Sequence, residues 1–441
     1  MKFSRNAAAI LLLVIFAAAP QLANPQSRHS SHRKVTSVSP QEQALHELLV
    51  QAKAAADKND YATAATDYEK YLAQKPDDAA AHFDLGYVYT AQKQRDKAVM
   101  EYRKAVVLDP KMAQAYLNLG ISLLEDNPKG AIAPLRKATE LNYDYAQGHY
   151  LLGTAEERAG QPTDAVKEYT IAVKLDPNDY SSHFALARAE LAAGNAIAAE
   201  PEFREALKLK ANNAEAELGL AQSLIEQKKS ADAAAALNDY LRENPEDAKA
   251  RVMRASLLTE LGKNDEALAE LDRASKRGTE TPESLKLRGV IYYRENDFAK
   301  AAAVLQKAAA MAPQDAGIRA RWGHALLETK DYAGAAKELT DALRLDPSSN
   351  GALRDLVAAE YLGKNYPGTL AALNLLAERE TPKPGAWFVR ATCYDHMGQA
   401  KEALDAYHKF LAMNTDQTSD QYFEATGRVR FLEQVVKEKG H

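Results

Sequence analysis

The chain has 441 residues, of which 46% are hydrophobic but only 7% aromatic, and 56 Lys and Arg against 61 Asp and Glu leave a net charge of -5. This balance excludes the basic surface with which nucleic-acid-binding proteins neutralise phosphates, so nucleic acid is not an expected partner. Cys393 is the only cysteine, which rules out a disulfide within the chain.

The N-terminal segment differs in kind from the rest of the chain. Lys2 and Arg5 precede an apolar run from Ala7 to Ala19. A basic start before about 7–15 apolar residues is typical of a secretory signal peptide, and a membrane span needs about 20. Residues 1–23 are therefore predicted to be a signal peptide that exports the protein to the periplasm or cell envelope, or secretes it. An uncleaved signal anchor, which would be its one membrane contact, is the alternative.

The next segment, residues 24–44, is polar and has no helical period at its start, which predicts a flexible tether. Beyond it the chain repeats every 34 residues, with a single-residue deletion near Asn127. The prolines that mark this period are Pro76, Pro110, Pro177, Pro245, Pro313 and Pro347.

Other positions keep the same register as these prolines. Twelve residues before the proline position every unit has alanine except the tenth, which has Thr369. Ten residues after it most units have glycine or alanine, as at Gly86 and Gly120, whereas the tenth has Val357. A third position is bulky: tyrosine or phenylalanine in five units and leucine in the others.

This pattern predicts two helices in each unit. Proline ends the second helix because it has no N–H to donate, and Asp, Asn or Ser beyond it can cap the next helix. Small residues on facing positions let two antiparallel helices approach closely. Since one such hairpin cannot bury its apolar face alone, the units must stack.

The repeat resembles the tetratricopeptide repeat, a 34-residue helix–turn–helix. The second 34-residue repeat carries the resemblance through Leu85, Gly86, Tyr89, Ala98, Tyr102, Ala105 and Pro110. The resemblance implies an all-α, right-handed α-solenoid of about eleven repeats over residues 45–417. Val357, Pro367 and Thr369 predict looser packing or a bend in the tenth repeat. Residues 418–441 are predicted to form a capping helix and tail, with a partner-binding helix as the alternative.

The resemblance also implies a binding site, because the first helices of this family line a concave groove that commonly receives a peptide or a partner helix. Register places ten side chains in that groove: Phe83, Tyr87, Leu117, Asn118, Ile121, Tyr150, Phe184, Arg188, Arg321 and Arg354. Aromatic side chains with arginine are favoured at interfaces. Alternatively, the rings pack against a neighbouring unit's first helix and the arginines are solvated or paired with nearby acids.

No catalytic, cofactor or metal motif stands out: the sequence has no HExxH, no Gly-rich phosphate loop and no paired cysteines. His82, His149 and His183 share one repeat position with Tyr116 and Trp387, which favours helix packing over metal binding. We therefore expect a non-enzymatic protein-interaction scaffold without cofactor. The alternative is an accessory subunit of polysaccharide or envelope-polymer synthesis or export that contacts glycan directly.

Overall fold

The computed structural model describes residues 39–275 and 280–439, and within them every regular element is an α-helix. The predicted signal peptide and the tether up to residue 38 lie outside the described residues. The chain divides into two compact units, each larger than a single 34-residue repeat. We call them the first unit, up to Leu108, and the second unit, from Asp109 onward.

The first unit contains four helices in two hairpins. They are α1 (Pro40–Asp57), α2 (Tyr61–Leu72), α3 (Ala79–Ala91) and α4 (Arg95–Leu108). Helix α1 begins directly after Ser39, whose side chain and that of Glu42 form a capping box. Residues 40–44 are therefore helical, so the predicted tether over residues 24–44 does not extend past Ser39.

The second unit contains the remaining nine hairpins and a last single helix. Its helices are α5 (Ala113–Leu123), α6 (Pro128–Leu141), α7 (Ala146–Arg158), α8 (Pro162–Leu175), α9 (Tyr180–Ala192), α10 (Ala196–Leu209), α11 (Ala214–Glu226), α12 (Ser230–Glu243), α13 (Ala248–Glu260), α14 (Asn264–Ser275), α15 (Pro282–Arg294), α16 (Phe298–Met311), α17 (Ala316–Glu328), α18 (Tyr332–Leu345), α19 (Asn350–Leu362), α20 (Tyr366–Ala377), α21 (Pro384–His396), α22 (Ala400–Met413) and α23 (Asp420–Lys439). Odd-numbered helices up to α21 are the first helices of their hairpins, and even-numbered ones are the second. The predicted all-α repeat of eleven helical hairpins is thus confirmed.

Helix boundaries follow the capping chemistry that the sequence predicted. The side chains of Asp78, Asp179 and Ser349 each accept a hydrogen bond from a backbone N–H in the first turn of the helix that follows. Each cap satisfies a donor that the helix itself leaves unpaired.

Small residues bring the two helices of a hairpin together. In the first unit a Cβ atom added to Gly86 would lie 2.7 Å from ring carbons of Tyr102, and in the second unit one added to Gly120 would lie 2.4 Å from Cγ of Leu135. Both partners are buried. Glycine at these positions therefore lets a bulky side chain of the second helix lie against the backbone of the first.

A buried polar clamp recurs within several hairpins. In the first unit His82 Nδ1 lies 2.5 Å from Glu101 Oε2, and its Nε2 lies 3.0 Å from the Pro76 carbonyl oxygen. In the second unit four pairs at equivalent positions join the first and second helices of a hairpin, two with histidine and two with arginine: His149–Glu168, His183–Glu202, Arg251–Glu270 and Arg319–Glu338. The histidines thus take part in helix packing, as their shared repeat position indicates.

The tenth hairpin accommodates its unusual residues. Helix α20 begins at Tyr366, so Pro367 lies in the first turn, where no N–H donor is needed. Thr369 is buried, and its hydroxyl donates to the Asn365 carbonyl oxygen at 2.9 Å. Pro367 therefore does not interrupt the helix. Helix α20 has 12 residues, however, whereas α18 starts at the equivalent position and has 14.

Helix α23 covers the end of the second unit, as predicted for a cap. Its buried Ala425 and Leu432 pack into one apolar cluster with Tyr407 and Phe410 of α22. Cys393 is also buried in α21, and burial raises the pKa of its thiol to about 11.

Candidate binding surface on the first helices

Three aromatic residues of the predicted groove occupy equivalent repeat positions and have equivalent contacts. In the second unit the Tyr150 ring centroid lies 5.9 Å from that of Tyr169, and the Phe184 centroid lies 6.2 Å from that of Phe203. Each ring is half-buried and rests on the second helix of its own hairpin. Both rings also pack against core clusters that include residues of the next first helix, Ala185 of α9 for Tyr150 and Leu220 of α11 for Phe184, so the geometry agrees with the predicted alternative as well.

In the first unit Phe83 lies against Tyr102 of its own hairpin in the same way, at 5.9 Å between centroids. Tyr87, one turn further along α3, is half-buried, and burial raises the pKa of its phenol.

The residues predicted on α5 differ in their accessibility. Leu117 is 4% exposed and belongs to the core cluster that contains Leu135, so this predicted groove residue offers almost no surface to a partner. Its side chain is shorter than the rings at the equivalent positions and ends inside the core. Ile121 is half-buried against the same cluster, and the half-buried Asn118 accepts a hydrogen bond from Gln114 at 3.2 Å.

Arg188 lies beside the Phe184 ring, with 6.0 Å between its guanidinium carbon and the ring centroid. Its Nη2 donates to both carboxylate oxygens of Glu157, at 2.8 and 2.9 Å. The Tyr169 hydroxyl donates to the same carboxylate at 2.9 Å. Arg188 is thus held in a defined position between two consecutive first helices, α7 and α9.

Further polar contacts join consecutive first helices of the second unit. Nε2 of His324 lies 2.5 Å from the Tyr293 hydroxyl, and its Nδ1 lies 2.8 Å from Asp355 Oδ2. The hydrogen bond to Asp355 raises the pKa of His324. These three residues are spaced 31 apart, as are Glu157 and Arg188. Complementary side chains at this spacing are the signal that the sequence analysis missed.

Arg321 and Arg354 have different partners. Arg321 is exposed, and its Nη1 donates to the Gly317 carbonyl oxygen of its own helix at 3.2 Å. Arg354 is also exposed, and its Nε and Nη2 donate to Glu380 at 3.2 and 2.5 Å. Arg354 is therefore paired with a nearby acid, which was the predicted alternative to a role in the groove.

Across residues 39–275 and 280–439, no group of three or more His, Cys, Asp or Glu side chains is arranged to hold a metal ion. In the same ranges no helix combines the length and the apolar character that crossing a membrane requires.

Two family models, both described as tetratricopeptide repeat, match most of the chain. One matches residues 49–113, 125–180 and 252–316, and the other matches residues 190–248 and 292–360. Among curated proteins, the Protein CTR9 homolog of Arabidopsis thaliana is 36% identical over 74 residues. That stretch is 17% of this chain and 7% of the relative's length, so the chain spans a small part of it.

Solved structures with similar folds include three named proteins. MamA is 25% identical and covers 39% of this chain and 95% of its own, with a TM-score of 0.37. YrrB, titled a TPR protein with an unusual peptide-binding site, is 18% identical and covers 43% and 99%, with a TM-score of 0.37. Yeast Tom70 is 13% identical and covers 90% and 97%, with a TM-score of 0.34. These scores are too low to carry an argument, and the family models suffice: the chain belongs to the tetratricopeptide repeat family.

Proposed function

We propose that the protein is a non-enzymatic scaffold that binds segments of other proteins on the first helices of its second unit, and that it works outside the cytoplasm. The observation that carries the binding proposal is the group formed by Tyr150, Phe184 and Arg188. We call these three residues the aromatic–arginine patch. Binding of peptides or partner proteins is the usual role of tetratricopeptide repeats.

The aromatic–arginine patch has the features of an interface anchor. Tyr169 and Phe203 support its two rings from behind, and Glu157 fixes its arginine. Side chains that are already fixed lose little conformational entropy when a partner binds, so more of the contact energy appears as affinity. Tyrosine and arginine are also over-represented among residues that dominate binding energies.

The proposed location rests on the sequence of residues 1–23 alone. Its basic start and apolar run have the composition of an export signal. The periplasm, the cell envelope and the medium all agree with this composition.

Direct contact with polysaccharide is less well supported than contact with protein. Sugar binding by aromatic residues needs an open ring face. The Tyr180 ring already stacks on Phe184, with 5.7 Å between centroids and 7° between planes. A half-buried ring with an arginine beside it suits a peptide better.

Affinity capture tests the proposal with the full chain, tagged at its C-terminus and expressed in the organism that makes it. A Tyr150→Ala/Phe184→Ala double variant is compared with wild type and with Phe423→Ala, which removes a ring that is 65% exposed on α23. We expect specific protein partners to be retained by wild type and Phe423→Ala and to be lost with the double variant.

Retention of the same partners by the double variant would contradict the binding proposal. Capture of glycan without protein would favour the polysaccharide alternative. The melting temperatures of the three proteins are measured first, because a double variant that unfolds would lose partners for a different reason.

A further inference from the structure

A cleft of about 300 Å³ lies between helices α19, α20 and α21. It lies where α20 ends at Ala377, two residues earlier in the repeat register than the end of α18 at Leu345. The chain then passes through residues 378–383 before α21 begins. The shorter helix leaves apolar surface uncovered, and the apolar lining of the cleft includes Leu373, Leu376, Ala377, Pro382 and Trp387.

The rim of this cleft is rich in cations. Arg354, Lys383 and Arg390 line it, and Glu380 is the one acidic residue among the lining residues. A fourth cation, Lys409, lies 4.7 Å from the centroid of the Trp387 ring, and the Arg390 guanidinium lies 5.5 Å from it. Positively charged side chains therefore lie beside both the Trp387 indole and the apolar lining of the cleft.

Not all of these cations are neutralised by acidic neighbours. Arg354 pairs with Glu380 and Lys409 pairs with Asp405, whereas Arg390 donates to the uncharged Asn374 side chain at 2.6 Å. Lys383 is exposed and forms no ion pair with any described residue, although its charge, after that of Arg354, helps to lower the pKa of Glu380. The four cations thus share two carboxylates, those of Glu380 and Asp405, which leaves net positive charge beside the apolar lining.

We propose that this cleft binds an acidic segment of a partner protein. An apolar side chain of that segment packs between Leu376 and Trp387, and carboxylates beside it pair with Lys383 and Arg390. Charge complementarity selects this occupant. The chain's own residues 24–38 contain Arg28, Arg33 and Lys34 but no Asp or Glu, so they have the wrong charge for the site. The inference rests on the proposed function only in that the occupant is a protein segment, since the aromatic–arginine patch lies on other helices.

Tryptophan fluorescence reports on the cleft directly. The chain has two tryptophans, and Trp322→Phe leaves Trp387 as the sole one. The full chain with this substitution is titrated with a blocked peptide of alternating Glu and Leu. Two control peptides carry Gln or Lys in place of Glu. We expect a saturable change with the acidic peptide that weakens at 0.5 M salt (a concentration of about this size screens exposed charges beyond a few Å), and none with either control.

A matched pair of charge reversals locates the peptide. Lys383→Glu should weaken binding about fivefold or more, because it replaces an exposed attraction with a repulsion. Lys401→Glu on α22 makes the same change of net charge at an exposed position outside the cleft and should leave the affinity unchanged. Calorimetry on chains that keep Trp322 gives the same comparison without that substitution.

Equal binding of the Glu and Lys peptides, or equal affinities of the two charge-reversal variants, would overturn the cleft proposal. Loss of partner capture on removing Tyr150 and Phe184, with unchanged acidic-peptide binding, would support a separate site in the cleft. If the aromatic–arginine patch captured no partner, acidic-peptide binding that depends on Lys383 would still support the cleft proposal.

Discussion

Adding a single methyl group at Gly120 tests how closely the helices of a hairpin approach. The new Cβ of Gly120→Ala would lie 2.4 Å from Cγ and 2.6 Å from Cδ2 of Leu135, which is completely buried. Carbon atoms prefer about 3.5–4.0 Å, so α5 and α6 must separate or Leu135 must leave its rotamer. Overpacking of this kind costs about 1–3 kcal/mol. The higher helix propensity of alanine returns about 1 kcal/mol. We expect a net loss between about zero and 2 kcal/mol.

Gly427→Ala on α23 is the matched control. Gly427 is exposed within the helix, and an added Cβ would have no atom within 4 Å. The same substitution should therefore stabilise the chain, by about 0.4–1 kcal/mol. Urea unfolding followed by circular dichroism at 222 nm (the helical band) compares the midpoints of the two variants with wild type. Equal stabilisation by both substitutions would refute the close approach at Gly120.

Three further substitutions test single features of the chain. Glu217 is 8% exposed, its Oε2 has no hydrogen-bond partner within the described chain, and burial raises its pKa. Since the tenth hairpin carries the buried Leu353 at the same repeat position, Glu217→Leu should stabilise the protein by about 1–3 kcal/mol in urea unfolding. Destabilisation by this substitution would contradict the prediction. The raised pKa of His324 means that its bond to Asp355 contributes fully below the unfolded pKa of about 6.5 and is lost as pH rises through the folded pKa. Melts of wild type and His324→Gln, with Glu328 and Tyr293 left in place around the site, should therefore differ more at pH 6 than at pH 9 (pH values below and above the unfolded pKa), and a constant difference would count against the bond. Leu12→Arg should block export by interrupting the apolar run, as seen by cell fractionation, and unchanged export would remove the basis for the proposed location.

The fold could be predicted from the sequence because its determinants recur locally. Each hairpin repeats the same small residues, bulky residue and cap, so Asp78 or Gly120 can be interpreted from its position in the period alone. The boundary at Pro40 was missed because the capping box of Ser39 and Glu42 lies in a stretch that is otherwise polar. Local pattern therefore predicted the elements well and their first boundary poorly.

The candidate site could be predicted only in part. Register placed Phe83, Leu117 and Tyr150 at one repeat position, but accessibility there depends on the size of each side chain, so leucine is buried where the rings reach outward. The contact between His324 and Asp355 depends on how two consecutive hairpins are arranged, and its signal in the sequence is a spacing of 31 residues rather than the 34-residue period. The structure was needed to show that complementary side chains at that spacing meet.

Site-specific photo-crosslinking in the cells that make the protein tests the central claim most directly. A photoreactive residue replaces Arg188 on the first helix α9 in one chain, and Lys208 on the second helix α10, whose side chain is 75% exposed, in another. If partners bind on the first helices, position 188 forms a discrete adduct with another protein and position 208 does not. Adducts at position 208 with none at position 188 would contradict the proposed binding surface.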